Sequence, residues 1–458
     1  MIECMLTAPQ SGGGKTVMTC ALLAALKQQG IAPVAFKCGP DYIDPMFHRG
    51  VLGIQSHNLD LFLSSEQTVR SLYARYTAGQ GAAVCEGVMG YYDGLGGTTT
   101  RASAWHLADT LDLPVLLVLR PKGASLTLAA LVKGLQEFRS NSHLAGILLN
   151  DCKPMLYRTL APMLEQETGL PVLGYLPPME EAAIQSRHLG LYTAEEISDL
   201  SQRIDALGQQ AQKTLDLPQL MALCRRPDRQ PEKGPERAKL RARIAVAKDE
   251  AFCFCYEETL DDLRDAGAEP VFFSPLHDTA LPPHCGGLYL PGGYPELYAA
   301  ALSRNETMRG AICAAVKGGL PTVAECGGFL YLGQTLEDTE GRAWPMAAVL
   351  PGQGIRTSRL VRFGYAELTA KQDSLLFYAG QTVPIHAFHY WDSTQNGQAC
   401  MAAKPLHNRQ WTCGFATPTL FASFAHLYFA GNPQLARRFV DAAAQQERKR
   451  KSCPNTAD

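Results

Sequence analysis

Residues 12–16 of the segment TAPQSGGGKTVM are three glycines, a lysine and a threonine, a combination that can bind phosphate. The apolar segment before it, MIECML, predicts a short buried strand, and the segment after it, TVMTCALLAALKQQG, predicts a helix that stops at Gly30. Backbone N–H groups of a glycine-rich turn at a helix start attract anions. We therefore predict a nucleotide-phosphate site with Mg²⁺ on the threonine hydroxyl, made by Gly12, Gly13, Gly14, Lys15 and Thr16.

The loop departs from the full phosphate-loop pattern in one place. That pattern has a glycine five residues before Gly14, where this chain has Pro9. A merely flexible glycine turn is the alternative interpretation. The strand before the loop, the helix after it and the Lys-Thr pair favour phosphate binding.

A second strand–turn–helix segment, LPTVAECGGFLYLG (residues 320–333), carries a cysteine at its turn. We predict that Cys326 is a nucleophile that faces solvent at the carboxyl end of its strand, with its pKa lowered by the helix start. A buried structural cysteine is the alternative.

A thiol with an ordinary pKa is mostly protonated at neutral pH, so a nucleophilic cysteine needs a base. His426, in LFASFAHLYFAGN, is the candidate, and a core histidine is its alternative role. The segment LYLPGGYPEL places two further glycines after a strand. Backbone N–H groups of Gly292, Gly293 and Gly327 are predicted to form an oxyanion hole.

Bulk properties exclude several classes of protein. The chain has 458 residues and a net charge of −2, which gives no electrostatic basis for binding nucleic acid or an anionic membrane. No segment approaches the ~20 apolar residues that span a bilayer, and no secretory signal is evident at the N-terminus. Fourteen cysteines without a C-x-x-C pair predict reduced thiols and a cytoplasmic protein.

Strand-like and helix-like segments alternate along two regions of the chain, which predicts α/β folds with parallel, doubly wound sheets. We predict a first domain over 1–196 and a second over 242–440. Between them, 197–241 is predicted to be a helix and a charged, proline-bearing linker. A basic tail over 441–458 follows the second domain.

Five segments together resemble the cobyrinate a,c-diamide synthase family: KCGPDYIDPMFH, EGVMGYYDG, LYLPGGYPE, AECGGFLYL and FAHLYFAGNP. The resemblance covers nearly the whole chain. It implies a P-loop synthetase domain of the dethiobiotin-synthetase type, followed by a class I glutamine amidotransferase domain of flavodoxin-like fold.

The activity implied by the resemblance is ATP-dependent amidation of the a and c acetate groups of cobyrinate, through an acyl phosphate, in cobalamin biosynthesis. Glutamine or ammonia supplies the nitrogen, and ATP and Mg²⁺ are required. The same chemistry on hydrogenobyrinate or nickel sirohydrochlorin stays open, and the oligomeric state is not predicted. A partitioning or regulatory P-loop ATPase is a rival of another class, against which Cys326 and the Gln10 of the glycine loop argue.

The resemblance also implies roles for polar residues that follow the first-domain strands. Lys37, Asp41 and Asp44 would contact the substrate or the intermediate, although an aspartate here also suits a helix cap. Thr16, Asp41 and Glu86 would hold the metal. Asn150 would contact adenine, although asparagine also simply ends strands.

The chain departs from class I amidotransferases at two positions. Tyr428 stands where ordinary members have a glutamate that orients the histidine, a residue that the corrinoid branch lacks, so what orients His426 is open. Ala387 replaces an acidic residue in IHAFHYW, next to His386 and His389, which would contact substrate or serve structure.

Two further groups have a functional and a structural interpretation. Arg359 and Arg362 suit recognition of a polycarboxylate, but arginines are usually solvated. Tyr91 and Tyr92 would either face a flat macrocycle or pack in the core.

Overall fold

A computed structural model describes residues 1–179, 194–227 and 237–452 of the chain. The chain divides into two compact units, Met1–Gly234 and Pro235–Asp458, and each is described by itself. The charged, proline-bearing part of the predicted linker, 228–236, lies outside the described residues. No helix of the described part is long and apolar enough to cross a membrane.

The first unit is a seven-stranded sheet with helices between its strands. Its strands are β1 (Ile2–Thr7), β2 (Pro33–Cys38), β3 (Ser56–Leu59), β4 (Ala82–Glu86), β5 (Val115–Leu119), β6 (Leu144–Leu149) and β7 (Val172–Tyr175). Its helices are α1 (Lys15–Gln28), α2 (Ile43–Gly50), α3 (Glu66–Thr77), α4 (Ala104–Leu111), α5 (Leu126–Glu137), α6 (Pro154–Thr168), α7 (Ala194–Thr214) and α8 (Leu217–Leu223).

The strand order in this sheet is β3-β2-β4-β1-β5-β6-β7, and every pairing is parallel. Every residue of β1, β2, β4 and β5 is buried, as expected for strands covered on both faces. The predicted parallel α/β architecture of this unit is confirmed. All carboxyl ends lie at one edge of the sheet, where ligands of such folds bind.

The register of the central strands brings charged residues together at that edge. Lys37 of β2 is paired with Glu86 of β4, and Glu86 is also paired with Leu6 of β1. Side chains of paired residues in neighbouring strands project to the same face of the sheet. The register therefore sets the lysine and the glutamate side by side, directly below the loop that follows β1.

The second unit contains two sheets. Its strands are β8 (Ala242–Ala247), β9 (Ala268–Phe273), β10 (Gly287–Leu290), β11 (Thr322–Glu325), β12 (Thr335–Glu337), β13 (Ala343–Pro345), β14 (Gln353–Ala370), β15 (Thr382–Ser393), β16 (Cys400–Ala403), β17 (Gln410–Cys413), β18 (Phe415–Thr417), β19 (Leu420–Ser423) and β20 (His426–Leu427). Its helices are α9 (Glu257–Asp265), α10 (Ala299–Arg304), α11 (Glu306–Lys317), α12 (Gly327–Tyr331) and α13 (Gln434–Ser452).

The first sheet of this unit has the order β18-β19-β11-β10-β8-β9. Its five parallel strands follow the flavodoxin-like order 2-1-3-4-5, so the predicted fold is confirmed. A second, mixed sheet is built mainly on the long antiparallel pair β14 and β15, and β20 joins its edge. The prediction of a doubly wound second domain did not include this mixed sheet.

Candidate active sites

The glycine loop of the first unit is built to receive an anion. Helix α1 begins at Lys15, and no side chain caps its first turn. Gly14 has φ +93°, and a Cβ on it would lie 2.0 Å from Nδ2 of Asn150. Only glycine fits there, because both the backbone conformation and the neighbouring carboxamide exclude a side chain. Asn150, predicted to be a nucleotide-binding residue, thus lies against the loop.

A cleft of about 550 Å³ opens beside this loop, within the first unit. Arg120 donates from Nε to Oδ2 of Asp151 at 2.7 Å on its rim. The lining combines the glycine loop and polar side chains with apolar side chains, which suits a nucleotide, whose phosphates and base need these two environments. The lining residues are Gly12, Gly14, Val17, Arg120, Asn150, Asp151, Leu176, Pro177, Pro178, Met179 and Leu207.

A buried ionic cluster lies at the carboxyl ends of β2 and β4. Lys37 is ion-paired with Asp44 and, at 2.8 Å, with Oε1 of Glu86. Thr16 donates its hydroxyl to the same Oε1 at 2.7 Å. The structure therefore joins residues from the loop, from two strands and from α2 that the sequence placed in one site.

Burial and charge act in opposite directions within the cluster. Burial raises the pKa of Glu86 to about 7, with Lys37 opposing that shift. Burial also disfavours ionisation of Asp44, but Lys37 holds the pKa of Asp44 below its ordinary value. Lys15, whose Nζ donates to the carbonyl oxygens of Met89 (2.5 Å) and Gln10 (3.4 Å), has a pKa lowered by burial and by Lys37.

Asp41 lies both at the start of α2 and at the margin of the ionic cluster. Its Oδ1 accepts the backbone N–H of Ile43 at 2.7 Å, so it supports the start of α2. Its Oδ2 lies 3.9 Å from Nζ of Lys37, at the margin of the cluster. Burial, reinforced by the charge of Asp44, raises the pKa of Asp41 to about 6.

The cluster fits Mg²⁺, which prefers oxygen ligands and is usually held by few carboxylates together with substrate phosphates. Oε2 of Glu86 is buried and has no hydrogen-bond partner among the described residues, and the Thr16 hydroxyl adjoins its other oxygen. The described part of the chain contains no group of three or more histidine, cysteine or acidic side chains placed to hold a metal by themselves. A metal here would therefore need ligands from a bound nucleotide.

Cys326 occupies a strained elbow between β11 and α12 in the second unit. Its φ is +47°, a conformation that residues other than glycine rarely adopt. The thiol is directed at the carbonyl oxygen of Phe388, 3.9 Å away. Such strain is typical of nucleophile elbows.

The predicted exposure and lowered pKa of Cys326 are wrong. The residue is 6% exposed. Burial, with added repulsion from Glu296 and Glu325, raises the pKa of the thiol well above its ordinary value. The backbone N–H of Gly327, at the start of the short helix α12, lowers the pKa of the thiol, but by less than burial raises it. The thiol therefore rests protonated and requires a base.

His426 is brought to the elbow by β20. A Cβ on Gly292 would lie 2.7 Å from Cε1 of His426 and 3.5 Å from Cβ of Cys326, so the glycine fills the space beside both side chains. On the other side, a Cβ on Gly327 would lie 3.0 Å from the backbone nitrogen of Gly293. Thiol, imidazole and the predicted oxyanion-hole glycines are thus neighbours.

The histidine is neutral in this environment. Burial, together with repulsion from the nearby His386 and His389, lowers the pKa of His426 to about 3. A neutral imidazole has a free nitrogen lone pair and can accept the thiol proton. His389 itself is held by the carbonyl oxygen of Trp391 at 2.6 Å and stacks on Phe424.

Other polar residues with two interpretations have structural contacts. Tyr91 is buried and donates to the carbonyl oxygen of Ser142 at 2.5 Å, and Tyr92 donates to that of Leu135 at 2.7 Å. Arg362 forms a two-point ion pair with Asp392, at 2.8 and 3.1 Å.

Two buried acids near the thiol were missed by sequence reasoning. Glu325 precedes the nucleophile and Glu296 lies in the glycine segment after β10, and burial raises the pKa of Glu296 to about 7. The signal available for Glu325 was the one that identified Glu86: a glutamate that closes an apolar strand.

Comparisons with known proteins match both parts of the chain. Residues 4–191 match the family described as "CobQ/CobB/MinD/ParA nucleotide binding domain", and residues 243–434 match "CobB/CobQ-like glutamine amidotransferase domain". Cobyrinate a,c-diamide synthase of Salmonella typhimurium is 39% identical over 455 residues, which cover 96% of this chain and 97% of the relative. The chain belongs to the cobyrinate a,c-diamide synthase family. Synthases of that name from Synechococcus sp. and Caldanaerobacter subterraneus subsp. tengcongensis are 38% and 35% identical and are matched over 98% and 99% of their lengths.

Membership of the cobyrinate a,c-diamide synthase family establishes the class of reaction. This chain is an ATP-dependent, amide-forming ligase with a nucleotide-binding domain and a glutamine amidotransferase domain. The glycine loop lies in the first of these domains, and Cys326 and His426 lie in the second.

Proposed function

We propose that this enzyme converts the a and c acetate carboxylates of cobyrinate into amides, with ATP and Mg²⁺ in the first unit and glutamine in the second. Three full-length relatives bear the name of that activity. The observation that carries the proposal is that one chain contains both a phosphate loop and a thiol–imidazole pair. Each supplies one of the two reactions that the synthesis of an amide from a carboxylate and glutamine requires.

The first unit would activate the carboxylate. A carboxylate oxygen attacks the γ-phosphorus of ATP, ADP leaves, and an acyl phosphate forms. Gly12, Gly13, Gly14 and Lys15 would hold the phosphates, and Lys37 would balance the charge on the transferred group. Mg²⁺, held by Thr16 and Glu86 with Asp41 at the margin, would supply charge neutralisation at the phosphate oxygens.

The second unit would release ammonia. His426 takes the thiol proton of Cys326, and the thiolate attacks the carboxamide carbon of glutamine while backbone N–H groups of Gly293 and Gly327 receive the oxyanion. Ammonia leaves with a proton returned by the imidazolium, and water then hydrolyses the thioester to glutamate. The ammonia displaces phosphate from the acyl phosphate to give the amide.

The macrocyclic substrate is identified by assaying the enzyme with several candidate macrocycles. Purified enzyme is incubated with ATP, Mg²⁺ and glutamine, and with cobyrinate, hydrogenobyrinate or nickel sirohydrochlorin. Mass spectrometry should find two successive replacements of a hydroxyl by an amino group on cobyrinate, at the a and c positions. If hydrogenobyrinate or nickel sirohydrochlorin is converted faster, that macrocycle is the substrate instead of cobyrinate. No ATP-dependent C–N bond on any of them would overturn the proposal.

Asp44→Asn should separate the two reactions. The substitution removes the closest negative partner of Lys37, so amidation of the macrocycle with ammonia should fall by about 10²-fold. Glutamine hydrolysis measured alone should not change. Asp112→Asn is the matched control, because its side chain is 85% exposed and asparagine tolerates its left-handed conformation. Equal losses of both reactions would indicate misfolding and contradict the role of Asp44.

A further inference from the structure

The residue that orients His426 does not occupy the position at which class I amidotransferases carry it. That position is Tyr428, whose ring packs edge-on against the ring of Tyr256 with centroids 5.1 Å apart. A buried histidine that acts as a base needs one nitrogen fixed as a donor, so that the other keeps its lone pair. Another group must therefore fix the ring.

Glu325 is the acid that faces the ring of His426. It is the last residue of β11, and its side chain and that of His426 are 1% and 2% exposed. Its Oε2 lies 3.8 Å from Nδ1 of His426. Within the described part of the chain neither carboxyl oxygen makes a hydrogen bond of ordinary length and angle, although the backbone N–H of Leu427 and the hydroxyl of Tyr289 lie close enough to favour its ionised form. A buried carboxyl without a well-formed hydrogen bond is costly. A movement of about 1 Å would bring the two groups within hydrogen-bond distance.

We propose that Glu325 is the positioning residue of His426, supplied by the strand that carries the nucleophile. Its carboxylate accepts the Nδ1–H of His426, which leaves the Nε2 lone pair to receive the proton of the Cys326 thiol. The imidazolium formed in that transfer is stabilised by the adjacent negative charge. The inference deepens the proposed glutaminase chemistry and rests on it.

The ionisation state of Glu325 determines whether His426 can act as the base. Burial raises its pKa to about 8, and the backbone N–H of Leu427 and the hydroxyl of Tyr289 oppose that shift. The titratable groups facing the carboxyl are His426 from β20, Tyr289 from β10 and the neighbouring Cys326. Below that pH the neutral acid would donate to Nδ1 and leave the ring proton on Nε2, where it blocks the base.

Glutamine hydrolysis by the wild-type enzyme should therefore rise with pH through about 8, because the active form carries an ionised Glu325. Glu325→Gln keeps the shape of the side chain, and its amide oxygen can still accept the Nδ1–H of His426. The glutamine is neutral, however, and does not ionise in this pH range. In this variant kcat for glutamine hydrolysis should fall by about 10²-fold, KM should not change, and the rise with pH should disappear. Glu325→Asp should keep part of the rate and the rise.

Ammonia-dependent amidation by the same Glu325→Gln protein should equal that of the wild type, which checks that the chain is folded. Glu258→Gln is the matched control, because it makes the same change at another buried glutamate of the second unit, on α9. A Glu325→Gln enzyme that keeps both the wild-type rate and the rise with pH would overturn the inference. An equal fall of the ammonia reaction would also overturn it, since the residue would then serve the fold. If the wild-type enzyme releases no ammonia from glutamine, the proposed function fails, and this inference fails with it.

Discussion

Cys326→Ala is expected to abolish glutamine-dependent amidation while ammonia still supports it. The thiol is the group that would form the bond to the glutamyl carbon, and no other residue at the elbow between β11 and α12 can replace it. Loss of a covalent nucleophile lowers turnover by about 10⁴-fold or more. The measurement is the rate of amide formation by mass spectrometry, with glutamine and with an ammonium salt as alternative nitrogen sources.

Cys313→Ala is the control for this substitution. Cys313 is a free, partly buried cysteine of α11 in the same unit, and it has no predicted role. The Cys313→Ala enzyme should retain amidation with both glutamine and ammonia as the nitrogen source. If Cys326→Ala loses the ammonia reaction as fully as the glutamine reaction, although its thermal unfolding is that of the wild type, the assigned division of labour is wrong.

Lys15→Ala is expected to eliminate amidation with either nitrogen source. Lys15 begins α1 directly after the glycine loop, and its ammonium would contact the outer phosphates of the nucleotide. Removal of a cation that stabilises phosphoryl transfer costs about 10³-fold in turnover. ADP release and amide formation, followed together at saturating ATP, should both be lost, whereas glutamine hydrolysis measured alone should persist.

Lys27→Ala, at the other end of the same helix, is the matched control. That lysine is exposed and donates to the carbonyl oxygen of Leu52, away from the loop. It should retain full activity. Wild-type ADP release by Lys15→Ala would exclude a phosphate-binding role for Lys15.

Features encoded in short segments were predictable from the sequence. The glycine loop, Glu86 and Cys326 each follow an apolar strand and precede a turn or a helix, so a window of about 15 residues contains the whole signal. Because the carboxyl ends of parallel strands share one edge, the convergence of Lys37 and Glu86 also followed from the fold class. Fold class and residue type thus sufficed to predict that these residues lie together.

Features that depend on non-local packing were not predictable. Cys326 is buried by β15 and β20, which lie about 60 and 100 residues later in the sequence. The local sequence around Cys326 does not indicate that these strands pack against it. The same packing brings Glu325 to His426. The additional sheet on β14 and β15 was also missed, because a long, irregular strand pair with two register shifts shows only a weak alternation of apolar and polar residues.

The protonated, enclosed state of Cys326 has a practical consequence for chemical labelling. Generic alkylating agents and peroxides react with thiolates, so the thiol of Cys326, the proposed nucleophile, should be among the slowest of the enzyme's thiols to be modified. Glutamine-shaped electrophiles, which enter as the substrate does and can use His426 as the base, should instead modify it selectively. Covalent probes for this enzyme are therefore best chosen by shape rather than by intrinsic reactivity.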